Sequence, residues 1–184
     1  MYYIFKIIIF KSEKRQVPTI AKKSDNNIGF LDHGAMVPLY YLTKFVGNKA
    51  NLVLISYSHL DKQKHINFGQ VISEVCNNDI FENKNIALIA SGDMSHRLFL
   101  GSSDEFSNDG KKYDQTILKD LRNNNFENII HYEEEFIENA GECGYRSILI
   151  LLGAMGGKCQ CEVLSYEGPF GVGYLTAKFN IDNN

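Results

Sequence analysis

Two short apolar runs separated by a helix-patterned stretch constrain this chain more than any other feature. Leu52–Tyr57 reads LVLISY and Ile86–Ala90 reads IALIA. A continuous apolar run of this length, bounded by polar residues, is the pattern of a strand covered on both faces. Between them, Phe68, Val71, Ile72, Val75 and Cys76 recur at helical spacing within Phe68–Phe81. The rest of the chain continues the alternation. Asp32 is placed to cap a helix over Ala35–Phe45 that ends at Gly47-Asn48, with Pro38 in its first turn, where proline is tolerated. Helices are expected over Tyr113–Leu121, Phe126–Asn139 and Tyr145–Met155, the last almost wholly apolar and stopped by Gly156-Gly157. Glu162–Tyr166 and Gly173–Phe179 read as two final strands, Tyr2–Phe10 as a buried strand, and residues 12–28 as a surface connection. Strands alternating with helices predict an α/β fold, with a central, mostly parallel or mixed sheet flanked by helices.

Size and charge narrow the function classes. The 184 residues suit one domain spanning 1–184. Lys and Arg number 19 against 22 Asp and Glu, a net charge of −3, which argues against an electrostatic nucleic-acid binder. The apolar start MYYIFKIIIF is shorter than the about 20 residues that cross a bilayer. It also lacks the basic lead and small-residue cleavage site of a signal peptide. Cys76, Cys143, Cys159 and Cys161 are too few for a disulfide scaffold in a chain of this length. The expectation is a cytoplasmic protein with neither a membrane nor a nucleic-acid partner.

Candidate chemistry concentrates at a few positions. In open α/β sheets ligands bind beyond the carboxyl ends of strands, and the Ile86–Ala90 run leads directly into the polar loop Ser91–His96. His96 in that loop carries the one side chain suited to proton transfer near neutrality. His33 follows Asp32 at the head of the first expected helix. Glu142 and Cys143 precede the apolar helix, where the positive helix end favours a carboxylate and lowers a thiol pKa. Both are possible metal ligands. Cys159 and Cys161 would share a face of a strand but make half a zinc site. His131 has helical spacing to Glu134 and Glu135 within a run that reads as a solvated face, and His59 and His65 read as exposed. The sequence has no G-x-S-x-G, no C-x-x-C and no glycine-rich phosphate loop.

Four blocks taken together carry a family resemblance. They are LDHGAMVPLYYL (Leu31–Leu42), ALIASGDMSHRL (Ala87–Leu98), AGECGYRSILILLGA (Ala140–Ala154) and SYEGPFGVGY (Ser165–Tyr174). In this order and spacing they resemble the class III extradiol ring-cleavage dioxygenases of the LigB-like family, in particular its bacterial branch with Memo-like and radical-SAM-associated members. The resemblance spans about residues 12–180. It implies an α/β fold with a non-haem Fe(II) site of two His and one carboxylate, open to a catechol-like aromatic diol and O₂. It implies that His96 is the acid/base and that His33 lines the substrate pocket. It places the remaining metal ligand at the Gly141–Gly144 turn, as Glu142 or Cys143. One departure matters: the family's two metal-binding His precede the D-H-G block, and no His precedes His33 here. The expectation is a domain without its first strand, first helix and both imidazole ligands, with weak iron binding and self-association through uncovered apolar sheet. The expected function is an impaired Fe(II)-dependent extradiol dioxygenase, the alternative a non-catalytic Memo-like binding or accessory protein.

Overall fold

The computed structural model describes residues 32–46, 51–99 and 106–181. Helix α1 (His33–Val46) is capped by Asp32 as expected, the carboxylate accepting the Ala35 N–H at 2.9 Å, and begins two residues before the expected Ala35. Pro38 lies in its second turn instead of its first, so the Gly34 carbonyl lacks its intrahelical donor. Helix α2 (Lys62–Cys76) starts six residues before the expected Phe68. Asp61 caps it, its carboxylate accepting from Lys64 N–H at 2.8 Å. The early turn escaped the apolar pattern because its inward residue is His65. That ring is buried between two backbone carbonyls, Nδ1 2.8 Å from Asp61 O and Nε2 3.0 Å from Ser58 O, which corrects its reading as exposed. A 3₁₀ turn over Asp79–Phe81 follows.

Helix α3 (Asn108–Arg122) is capped by Ser107. The expected helix over Phe126–Asn139 is two short ones, α4 (Phe126–Ile130) and α5 (Glu134–Ala140). The break lets Tyr132 turn inward, where its hydroxyl donates to Asp120 at 2.7 Å and its ring stacks on Tyr145. Helix α6 (Tyr145–Met155) has the expected bounds and ends on Gly156 at φ 62°. Strands β1 (Cys159–Glu167) and β2 (Tyr174–Ile181) pair antiparallel, Cys159 opposite Ile181 and Glu167 opposite Tyr174, with a register shift between Val163 and Ser165. The core gathers Tyr113, Ile117 and Leu121 of α3, Ile129 of α4, Ala140 of α5 and Leu149 of α6, each at most 1% exposed.

The architecture is a mixture of helix and strand of α/β type. It departs from expectation in its sheet. Among the described residues the sheet is the two-stranded β1–β2 pair, and Leu52–Tyr57 and Ile86–Ala90 belong to no helix and no ladder. Their side chains are half-open: Leu52, Leu54, Ile55, Tyr57, Ile86 and Ile89 all count among the exposed apolar residues. An apolar run reports a local preference for extended backbone, whereas a strand also needs a hydrogen-bonded neighbour. Neither run has one among the described residues. The readings of Tyr2–Phe10, residues 12–28 and Gly47-Asn48 lie outside the described residues. Among those described, no helix is long and apolar enough to cross a membrane.

Candidate functional site

The loop after Ile86–Ala90 is held from two sides by backbone bonds. On one side Met94 N–H donates to Gly173 O at 2.9 Å, Gly173 N–H to Ser95 O at 2.8 Å, and Leu98 N–H to Gly171 O at 3.1 Å. On the other, His96 N–H donates to Gly141 O and Cys143 N–H to Asp93 O, both at 3.3 Å. Ser95 is fully buried between them. Its hydroxyl donates to Ala140 O at 2.7 Å and its N–H donates to the Asp114 carboxylate at 2.9 Å. Asp114 also accepts from the Tyr166 hydroxyl at 2.6 Å. Only glycine fits at 173, where a Cβ would come 2.1 Å from Asp114 Oδ2 and 2.8 Å from Met94 Cβ. These bonds join three of the blocks noted in the sequence, Ala87–Leu98, Ala140–Ala154 and Ser165–Tyr174, into one rigid junction.

At that junction three polar side chains converge. Cys143 Sγ is 3.8 Å from His96 Nε2, and His96 Nε2 is 3.5 Å from Asp93 Oδ2. The donor atoms of Asp93, His96 and Cys143 all lie within 4.8 Å of one another. Asp93 N–H also donates to Cys143 Sγ at 3.1 Å. Burial pushes the Cys143 thiol pKa up. The Asp93 N–H opposes that rise, and the negative charges of Asp93 and Glu142 add to it. The expectation is a thiol lowered by the helix end; desolvation and two neighbouring carboxylates push it the other way. Burial likewise raises Glu142, against the N–H groups of Tyr145 and Gly144 and the positive charge of Arg146. Glu142 turns its carboxylate onto the Tyr145 N–H at the head of α6.

Beside this cluster lies a cavity of about 740 Å³, within the range of small-molecule sites. Its walls are the first turns of α1, the two runs Leu52–Tyr57 and Ala87–Gly92, Ile72 of α2, and Cys143, Ser147, Ile150 and Leu151 at and along α6. Most of the lining is aliphatic. The polar groups gather toward Cys143: Tyr57 donates its hydroxyl to Cys143 O at 2.9 Å, and Ser147 donates to Ser91 O at 2.9 Å. Burial raises the Tyr57 phenol, with the charges of Cys143 and Glu142 adding to it, so the phenol remains a donor.

The residues singled out in the sequence fall into distinct places. His96 and Cys143 are in contact. His33 is the exposed first residue of α1 and lines the cavity that Cys143 also lines. Glu142 is a helix cap beside the cluster. Cys159 and Cys161 are buried on the inner face of β1, where burial and Cys159 push the Cys161 thiol up to about 11. His131 is exposed and bonded to the Glu127 carbonyl at 2.8 Å. Asp93 escaped the sequence reading as a ligand. Its signal was a carboxylate three residues before a His within one short loop at the end of an apolar run.

Comparison with known proteins places these features in context. Residues 4–177 match the family described as the catalytic LigB subunit of aromatic ring-opening dioxygenase. A Clostridium acetobutylicum protein designated Protein CA_C1420 is 39% identical over 166 residues, covering 90% of this chain and 34% of its own length. The chain thus spans about a third of the length of that curated relative.

Proposed function

Since the chain belongs to the family of the catalytic LigB subunit of aromatic ring-opening dioxygenases, we propose that it takes a catechol-like aromatic diol into the cavity beside Cys143, as an extradiol ring-cleavage dioxygenase does before reaction with O₂. The observation that carries this reading is the layout of the cavity. Its aliphatic walls suit an aromatic ring, and its polar groups cluster at one end, near the His96–Cys143 contact. A buried diol needs partners for both hydroxyls. In this reading His96 accepts a proton from one hydroxyl, and the Asp93 carboxylate at 3.5 Å stabilises the imidazolium that results. His33 hydrogen-bonds the diol from the wall formed by α1. The Tyr57 phenol and Ser147 hold the backbone of the turn and loop, keeping Cys143 and Ser91 in place. We assign the protein to the cytoplasm.

In enzymes of this class Fe(II) activates O₂ and is held by two imidazoles and a carboxylate. The residues here make a different set. Among the described residues the cluster offers one imidazole, one carboxylate and one thiol, with no second imidazole in it. Glu142, one of the two alternatives for the single remaining ligand, is committed to the head of α6, which leaves Cys143 as the better donor. The set does not fit the iron, so no step is assigned to it. This mismatch favours a second reading, in which the same cavity serves a non-catalytic binding or accessory protein.

Nitrocatechol tests both. Anaerobic titration followed by its visible spectrum reports binding, and admission of O₂ after Fe(II) loading reports turnover. Binding with O₂ uptake supports the dioxygenase, and binding without uptake supports the accessory protein. Absence of binding overturns both.

A further inference from the structure

We propose that Asp93, His96 and Cys143 form a three-ligand site for a thiophilic divalent cation of the zinc type. The inference rests on the non-catalytic reading, since an imidazole nitrogen bonded to a cation takes no proton from a diol.

The three donor atoms converge in a way that a catalytic relay does not. In a relay of nucleophile, base and orienting acid, the thiol and the carboxylate address opposite nitrogens of the imidazole. Here both address the same one: Cys143 Sγ stands 3.8 Å and Asp93 Oδ2 3.5 Å from His96 Nε2. A thiol, a carboxylate and one ring nitrogen within 4.8 Å of one another are close enough for one cation to bridge all three. The His96–Asp93 and His96–Cys143 separations, 3.5 and 3.8 Å, fall in the range a shared cation needs, and the third pair lies within 4.8 Å. Donors bound at about 2.0–2.3 Å to one tetrahedral cation stand about 3.3–3.8 Å apart.

The surroundings add two further features. The Asp93 N–H donates to Cys143 Sγ at 3.1 Å, a bond that strengthens when the sulfur is an anion, as a metal-bound thiolate is. The backbone under all three ligands is fixed: Cys143 N–H reaches Asp93 O and His96 N–H reaches Gly141 O, each at 3.3 Å. Three protein ligands would leave a fourth tetrahedral position open, and Cys143 is the one of the three that lines the cavity. The donor chemistry then selects the ion. A thiolate with one imidazole and one carboxylate suits zinc, whereas the ring-opening iron takes two imidazoles and a carboxylate.

The test is metal binding by the full chain, read without activity. Co(II) is titrated as a spectroscopic stand-in for zinc and then displaced by Zn(II), with Fe(II) competed anaerobically in parallel. The expected result is one equivalent of Co(II) with a thiolate-to-cobalt charge-transfer band and tetrahedral visible bands, displaced by Zn(II) and not by equimolar Fe(II). Cys143→Ser abolishes the charge-transfer band. It and Asp93→Asn each lower Zn(II) affinity by at least the about 10–100-fold that loss of an outer-shell partner costs, while Cys161→Ser, which removes a buried thiol on β1, leaves it unchanged. Circular dichroism of each variant reports folding, and a variant that fails to fold is replaced by Cys143→Ala. Zinc affinity insensitive to Cys143, or preferential Fe(II) uptake, overturns the proposal. Nitrocatechol binding is measured separately on the metal-free chain, so loss of the diol reading and loss of the metal site are told apart.

Discussion

Gly69 of α2 and Gly153 of α6 meet at a backbone-to-backbone contact. A Cβ on Gly69 would lie 2.1 Å from the Ile150 carbonyl oxygen, and one on Gly153 would lie 2.2 Å from the Ile66 carbonyl oxygen. The two helices therefore pack without side chains between them at this point. That seats α2 against the helix that follows the turn carrying Glu142 and Cys143.

This contact gives a prediction whose sign is informative. In an open helix, Gly→Ala stabilises by about 1 kcal/mol through propensity. At Gly69 or Gly153 the new methyl meets backbone that cannot rotate away, and overpacking costs about 1–3 kcal/mol or more. Gly69→Ala and Gly153→Ala should each lower the urea midpoint. A raised midpoint in either would show that α2 and α6 do not approach this closely.

Asp114 gives the chain a pH dependence. It is 1% exposed, and burial raises its pKa above the usual carboxylate range, against the Tyr166 hydroxyl, the Ser95 N–H and the nearby His96. The folded chain thus keeps this proton to higher pH than the unfolded chain does. The folded state binds more protons in that window, so stability falls as pH rises from the usual carboxylate range through the raised pKa. Asp114→Asn keeps an oxygen for the Ser95 N–H and removes the ionisation. Urea midpoints measured from about pH 4 to pH 7 should show this falling component in the parent and not in the variant. Equal slopes would contradict it.

Tyr132 separates a hydrogen bond from a ring. Its hydroxyl donates to buried Asp120 at 2.7 Å, while its ring stacks on Tyr145 with centroids 6.1 Å apart. Tyr132→Phe keeps the ring and should cost about 1–3 kcal/mol. Tyr132→Ala loses both and should cost about 3–5 kcal/mol. Equal losses in the two variants would mean the hydroxyl carries the whole effect.

What the sequence disclosed and what it hid divide by range. Helix α6 was legible to the residue, because its apolar run and the Gly156-Gly157 stop are local signals. The loop around His96 was legible as a candidate because an apolar run feeds it, and the fold brings Cys143 to it. The Leu52–Tyr57 and Ile86–Ala90 runs were read as strands, yet a ladder depends on a neighbour that no local pattern names. The early start of α2 was hidden by His65, a polar residue buried through two carbonyls. The clamp of Gly173 on Asp114 and Met94 was invisible, since it joins residues far apart in the chain. Asp93 was passed over for a related reason: its spacing to His96 is local, but only the fold brings Cys143 to both.

The central claim is that Asp93, His96 and Cys143 act on one shared centre at the end of the cavity. Crystals of the zinc-loaded chain, measured at the zinc absorption edge, test it most directly. The predicted result is one strong anomalous peak within bonding distance of Asp93 Oδ2, His96 Nε2 and Cys143 Sγ. A peak elsewhere, such as on exposed His131 and Glu127, or no peak at the cluster, would contradict it.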